Sequence, residues 1–255
     1  MTNRTISPSK RIWLRFKGHR RGYYSLVIFT ILFVLSLFAE VVSNDKPIIF
    51  SYEQRVFVPL FYDYPETNFG GDFETNADYL DPFINEKIKS TSTWGIFPMN
   101  SYSFNTINYF SPYPNPAAPS SVNFLGTDDR GRDVLARLIY GFRISVLFGF
   151  ALTIVGVFFG IFMGSIQGYF AGRTDLIIQR FIEVWGAIPE LYLLIILASI
   201  FEPSLLILLV ILSLFGWMGL SDYVRAEFLR NRSLEYVTAA KALGLSSKSI
   251  ILKHV

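Results

Sequence analysis

Few residues in this 255-residue chain have the types and spacing that chemistry needs. The densest cluster is LGTDDRGRDVLARLIYGFR, Leu125 to Arg143, which carries Asp128, Asp129 and Asp133. Three carboxylates so close invite a calcium reading, but the run lacks the alternating oxygen ligands and closing glutamate of an EF-hand loop. The better local reading is a turn in which Thr127 or Asp128 caps an amphipathic approach helix, with acids in its first turn. A second group is Glu183, Pro189 and Glu190, set in an otherwise apolar run. Proline removes a helix hydrogen bond, and a carboxylate inside a membrane is usually paired or functional. Glu183 has Arg180 at hand for a local pair, whereas Glu190 lies deeper and is the stronger candidate for a pathway or gating role. With no cysteine and two distant histidines, His19 and His254, a thiolate or histidine metal site has no material. No phosphate loop, dinucleotide fingerprint or nucleophile elbow is present, so no enzyme and no cofactor site is visible.

The elements that hold these residues are membrane helices. The chain is 51% hydrophobic and 17% aromatic, with a mean hydropathy of +0.38, and its apolar residues are gathered into runs of membrane length. A net charge of +3 is too small to point to nucleic acid. Four stretches qualify as spans: Tyr23 to Ser43, with Glu40 its only charge; Ile144 to Gly172; about Leu176 to Phe201; and about Pro203 to Leu220. The last two are joined by a short turn at Glu202-Pro203 and form an antiparallel hairpin. The first run is too long for a signal peptide and has no small-residue cleavage site after it. Arg4, Lys10, Arg11, Arg15, Lys17, Arg20 and Arg21 precede it without an acid, which predicts a cytoplasmic N-terminus. Four crossings then return Arg225, Arg230 and Arg232 to the same side.

The expected organisation is a basic tail (1–22), a first span (23–43), an extracytoplasmic insertion (44–138), a core of three spans (139–222) and a cytoplasmic segment (223–255). The insertion is acidic up to Thr127. Its aromatic runs FVPLFYDY and YSFNTINYF predict a small packed body rather than a solvated loop, followed by the proline-rich linker SPYPNPAAPSS.

Within the second span, Gly156, Gly160, Gly164 and Gly168 recur every four residues, which puts them on one helix face. A stripe of missing side chains lets another helix approach closely, or forms a smooth pathway wall. The closing residues, EYVTAAKALGLSSKSIILKHV, read as helix, tight turn, helix. Ser233 is placed to cap the first helix, Gly244 to stop it in a left-handed turn, and Ser246 or Ser247 to cap the second, where Ile250 and Ile251 supply a buried face. The same shape is used by DNA-binding helix-turn-helix units, but a reader helix needs a free-standing domain, whereas this pair is joined to a span.

That closing stretch resembles the cytoplasmic EAA loop of bacterial ABC importer permeases, with Thr238-Ala239-Ala240, three residues, then Gly244. The glutamate of the family pattern is replaced by Thr238, and the Leu-Pro that closes the pattern would follow Val255. LGTDDRGRDVLARLIYGFRIS, GYFAGRTD and RFIEVWGAIPELYLLIIL resemble the corresponding core segments of the dipeptide and oligopeptide group. The N-terminal half with its long insertion is similar to the Yej-type subgroup, associated with oligopeptide and microcin C uptake. The resemblance implies an all-α integral membrane protein, four spans of a permease core with a large extracytoplasmic insertion, apparently cut off inside its coupling loop. It further implies an inner-membrane location, a second permease subunit, a periplasmic peptide-binding protein, and a cytoplasmic ATPase that carries the ATP and Mg. Glu235, Thr238, Ala239, Ala240 and Gly244 would be the ATPase-coupling residues. Dipeptides or nickel chelates are the alternative cargo, and a non-transporting scaffold fragment is the alternative role.

Overall fold

The computed structural model describes residues 7–109, 113–202 and 204–253; Arg4 of the basic tail, Pro203 of the short turn, His254 and Val255 fall outside them. The chain divides into two compact units with the boundary between Ser145 and Val146.

In the first unit, α1 (Pro8–Gly18) starts with Pro8 in its first turn and Ser7 as cap, the Ser7 hydroxyl accepting from the Lys10 amide at 3.4 Å. Helix α2 (Arg20–Leu37) follows directly, capped by His19 Nδ1, which accepts from the Gly22 amide at 3.1 Å. It is apolar on all sides, with Ser36 its one buried residue, as suits a helix whose solvent is lipid. After a break at Phe38, α3 (Ala39–Val42) ends the run.

The insertion has a core of its own. Strands β1 (Ile49–Tyr52) and β2 (Arg55–Phe57) form a hairpin. Its two turn residues, Glu53 and Gln54, both take positive φ, the handedness that matches strand twist. Helix α4 (Pro82–Thr91) is capped by Asp81, whose carboxylate accepts from the Phe83 and Ile84 amides, and β3 (Gly95–Ile96) completes the antiparallel order β2-β1-β3. Phe50, Tyr52, Phe57, Phe69 and Tyr79 pack with Ile84 and Ile88 of α4. Phe57 and Phe69 have ring centroids 5.1 Å apart. Ile84 and Ile88 are four apart and so share the helix face turned to these rings. Of the two aromatic runs singled out in the sequence, Phe57 enters this core and Tyr64 packs against it, whereas Phe61, Tyr62, Phe104 and Tyr109 are exposed; the remaining core rings come from outside those runs.

Helix α5 (Val134–Phe170) is 37 residues long. The approach helix and second span predicted as separate pieces are therefore one continuous helix. Neither Thr127 nor Asp128 caps it. The cap is Asp133, whose carboxylate accepts from the Ala136 amide at 2.7 Å. Asp128 instead closes the preceding turn, accepting from the Arg130 and Arg132 amides at 2.9 Å each and from the Arg132 and Arg137 side chains. Burial disfavours its charge, but those four donors outweigh it and hold the carboxyl well below the usual carboxylate range. Of the three acids offered to calcium in the sequence, Asp128 is engaged by arginines and Asp133 by Asn100 and Asn123, while Asp129 is exposed.

In the second unit, α5 gives way to α6 (Gly172–Gly186) through Ala171 and Gly172, both at positive φ. The expected third span is not one helix. It is α6 and α7 (Glu190–Ile200), bent by 63° at the break between them. Pro189 causes the break: it has no amide hydrogen to give and crowds Ile188 out of helical geometry. Helix α8 (Leu205–Gly216), capped by Ser204, and α9 (Met218–Asn231) together run 27 residues, so the helical run continues past the expected end at Leu220 into the polar residues SDYVRAEFLRN. Helices α10 (Glu235–Ala242) and α11 (Ser247–Lys253) close the unit. Among the described residues α2, α5 and α8–α9 are long and apolar enough to cross a membrane, and the bent pair α6–α7 makes a fourth.

Candidate functional site

Helix α10 is short, and packing rather than length stabilises it. Ser233 does not cap it. The Ser233 hydroxyl donates to the Arg230 carbonyl, and Leu234 occupies the cap without a side-chain bond. The helix stops at Gly244, whose φ of 81° is open to glycine and strained for most other residues. Ser246 then caps α11, accepting from the Ser249 amide at 3.3 Å.

The pair has two unlike faces. Inward, Val237, Ala240 and Ile250 pack with Tyr169 of α5, and Phe228 and Ile251 lie against the cluster. Val237 and Ile250 are completely buried and Ala240 is 6% exposed, so Ala240 lies in this internal seam. Outward, Glu235, Tyr236, Thr238, Ala239 and Gly244 are exposed, and Leu243 is 80% exposed. Thr238, in the place of the family glutamate, turns its hydroxyl back onto the Leu234 and Glu235 carbonyls.

Tyr169 links the pair, and the end of α9 that precedes it, to α5 in three ways. Its ring is in the cluster, Lys241 Nζ sits 4.9 Å from the ring centroid, and its carbonyl accepts from Arg232 at 3.3 Å. These partners lie more than sixty positions from Tyr169, and no local pattern announced them.

The glycine stripe of α5 faces α8 and α9. A methyl group built on Gly156 would sit 3.6 Å from the Gly216 carbonyl oxygen, which is ordinary contact. On Gly160 it would lie 2.9 Å from the Leu220 side chain, on Gly164 2.5 Å from the Ser221 carbonyl, and on Gly168 2.4 Å from Phe228 Cβ. The approach tightens steadily toward Gly168. Beside this seam the fully buried Gln167 donates to the Ser221 hydroxyl at 3.0 Å, and Asp175 of α6 takes a two-pronged contact from Arg225 of α9.

The predicted pathway acids stand apart from one another. Glu183 accepts from Arg180 at 2.6 Å, three positions away, and both side chains are exposed. Glu190 is half-buried in the first turn of α7, directly after Pro189. In the first unit, Glu40, the single charge of the first span, pairs with Arg143 of α5 at 2.8 Å. Its isolation in an apolar run was a signal that it needed a partner.

Comparison with known proteins gives this architecture relatives. Residues 138–255 match the family described as binding-protein-dependent transport system inner membrane component. Residues 7–82 match the N-terminal TM domain of oligopeptide transport permease C. The peptidoglycan transport system permease protein YejE of Agrobacterium fabrum is 46% identical over 98% of the chain and 72% of its own length. The inner membrane ABC transporter permease protein YejE of Escherichia coli is 47% identical over 98% of the chain and 73% of its own length. The oligopeptide transport system permease protein OppC of Bacillus subtilis is 25% identical over the whole chain and 64% of its own length. These relatives are permease subunits of transporters rather than enzymes. From its apolar helices, its YejE relatives and both family matches, the chain is a multi-pass inner-membrane protein that belongs to the dipeptide and oligopeptide group of ABC importer permeases.

Proposed function

We propose that the chain is one of two permease subunits in an ATP-driven importer of oligopeptides, driven through the α10–Gly244–α11 pair. The N-terminus lies in the cytoplasm and the aromatic-cored insertion on the outer side, where a peptide-binding protein delivers cargo. A cytoplasmic ATPase, with its ATP and Mg, engages the outward face of α10 at Glu235, Thr238, Ala239 and Leu243.

The observation that carries this reading is the two-faced construction of the pair. One face is buried on Tyr169 at the end of α5, and the other leaves a large apolar side chain, Leu243, in solvent. Movement of an ATPase against the exposed face is transmitted through Val237, Ala240 and Ile250 to α5 as a rigid body. The close glycine seam then lets α5 shift against α8 and α9 between packed states. Glu183, Pro189 and Glu190 flank the break in the third span. Of these, Glu190 lines or gates the path, while Glu183 is occupied by Arg180.

Replacing Gly244 with valine in the assembled importer tests the coupling. Valine does not fit the left-handed turn, so peptide uptake should be lost while membrane insertion and pairing with the partner permease persist. Normal uptake by that variant would remove α10 as the coupling element. A second cargo reading, cell-wall peptides, is favoured by the Agrobacterium relative, a peptidoglycan transport system permease. Competition of oligopeptide uptake by muropeptides separates the two.

A further inference from the structure

Helix α1 is not explained by transport or coupling. None of its residues is buried, and its side chains sort by chemistry. Ile12, Trp13 and Phe16 fall within one arc of the helix, while Lys10, Arg11, Arg15 and Lys17 occupy the remainder together with one apolar residue, Leu14. Ile12 is 69% and Trp13 47% exposed. Arg20 and Arg21 extend the cationic surface, and the first acid of the entire sequence is Glu40.

The junction with α2 is built rather than loose. Trp13 stacks on Phe16 with centroids 5.7 Å apart, and both rings meet Tyr23 at the start of the first span edge-on, at 6.4 and 6.5 Å. Lys17 Nζ sits 5.7 Å from the Trp13 ring and 5.8 Å from the Tyr23 ring. His19 caps α2, so the chain passes from α1 into the span with a single non-helical residue between them. The aromatic cluster therefore sits where the span begins, the level of a bilayer at which aromatic rings and cationic heads are both favoured.

From this surface we propose that α1 is an interfacial helix that docks on anionic phospholipid headgroups beside the first span, Ile12 and Trp13 entering the boundary of the acyl chains and Lys10, Arg11, Arg15 and Lys17 contacting lipid phosphates. Charge complementarity selects this occupant: an apolar edge on a helix whose every charge is positive fits an anionic lipid surface and repels a basic one. The docking is independent of cargo and of the ATPase. It fixes the depth and tilt of the first span, to which α1 is tied through Tyr23.

The chain has no cysteine, so Ile12→Cys gives a single labelling position on the apolar edge and Lys10→Cys one on the cationic edge. Each nitroxide-labelled full chain is reconstituted in nanodiscs of pure phosphatidylcholine, or with about one third phosphatidylglycerol, and its accessibility to oxygen and to a water-soluble nickel chelate is read by electron paramagnetic resonance. With phosphatidylglycerol the position-12 label should be oxygen-accessible and shielded from nickel, while the position-10 label stays nickel-accessible. In pure phosphatidylcholine the position-12 shielding should fall severalfold, roughly fivefold in docking equilibrium for each cation engaged. Changing Lys10, Arg11, Arg15 and Lys17 to glutamine should give the same loss in the anionic nanodisc. Because the same folded chain is compared in two lipids, a folding defect cannot mimic the result. Equal nickel accessibility at position 12 in both lipids overturns the proposal, and so does equal shielding that survives the glutamine changes.

Discussion

Asn100 and Asp133 stand 33 positions apart and meet inside the first unit, the amide nitrogen donating to the carboxylate at 2.8 Å. Asp133 is completely buried and Asn100 is 2% exposed. The second carboxylate oxygen accepts from Asn123 at 2.9 Å, and the same Asn100 amide group donates to Ser43 at the end of α3. One carboxylate therefore caps α5 and ties it to the insertion and to the end of the first apolar run. Removing one partner of such a network costs more than the bonds are worth, because the rest stay buried without partners.

Asp133→Ala should accordingly lower stability by about 2–4 kcal/mol, from a lost cap and two orphaned amide groups. Asp133→Asn keeps the shape and should cost less. Thermal unfolding of the detergent-solubilised chain, followed by size-exclusion fluorescence, ranks the two. Equal melting of both variants and the parent would mean that the network holds nothing.

The glycine seam makes a graded prediction. Gly156→Ala meets only ordinary contact and should be nearly neutral, whereas Gly168→Ala puts a methyl group 2.4 Å from Phe228 Cβ and 2.6 Å from the Arg225 carbonyl oxygen. Because the neighbours include backbone, they cannot simply rotate away, and overpacking of about 1–3 kcal/mol is expected. Gly160→Ala should fall between, since Leu220 is a flexible side chain. Melting temperatures of the three variants test the order 156, 160, 168; a flat series would contradict the close approach.

Much of this was legible in the sequence because its signals are periodic or long. Apolar runs of membrane length marked the helices, a four-residue glycine period marked one face, and Gly244 and Ser246 marked the turn between α10 and α11. What escaped were choices settled by distant partners. Thr127, Asp128 and Asp133 are all plausible caps by type, and Asn100 and Asn123 decide in favour of Asp133. Ser233 is a good cap by composition, yet Val237 and Ala240 must face Tyr169, which sets where α10 begins. Pro189 marks a lost hydrogen bond in the third span, but sequence alone gives no angle for the bend. Ala240 lies within the signature yet points inward, since burial follows from packing and not from the motif.

Asp128 carries a pH prediction. Its carboxyl titrates below its ordinary value in the folded chain, so the unfolded state binds a proton more readily. The stability this confers is complete above the unfolded value, roughly pH 4, and is lost as pH falls through the folded value. The gap in stability between the parent and Asp128→Asn should be constant above about pH 5 and shrink on acidification below about pH 4. Unfolding of the two chains side by side between pH 7 and 3 cancels the acids they share. A gap that stays constant throughout would mean that the Arg130, Arg132 and Arg137 contacts do not hold the carboxylate ionised.

Glu183 and Glu190 should part company under the same substitution. Glu183 belongs to an exposed pair with Arg180, and such pairs are worth about 0–1 kcal/mol. Glu183→Gln should leave uptake near the parent level. Glu190 is half-buried at the break beside Pro189, with no hydrogen bond or ion pair among the described residues, and on the proposed pathway role its carboxyl would meet cargo. Glu190→Gln should weaken uptake of lysine-containing peptides about fivefold, the loss of one contact near 1 kcal/mol, and leave acidic peptides unaffected or improved. Competition uptake with a matched cationic and anionic peptide pair reads this directly. If both peptides lose equally, Glu190 sets the bend and not the path; if neither changes, the pathway lies on another face of the unit.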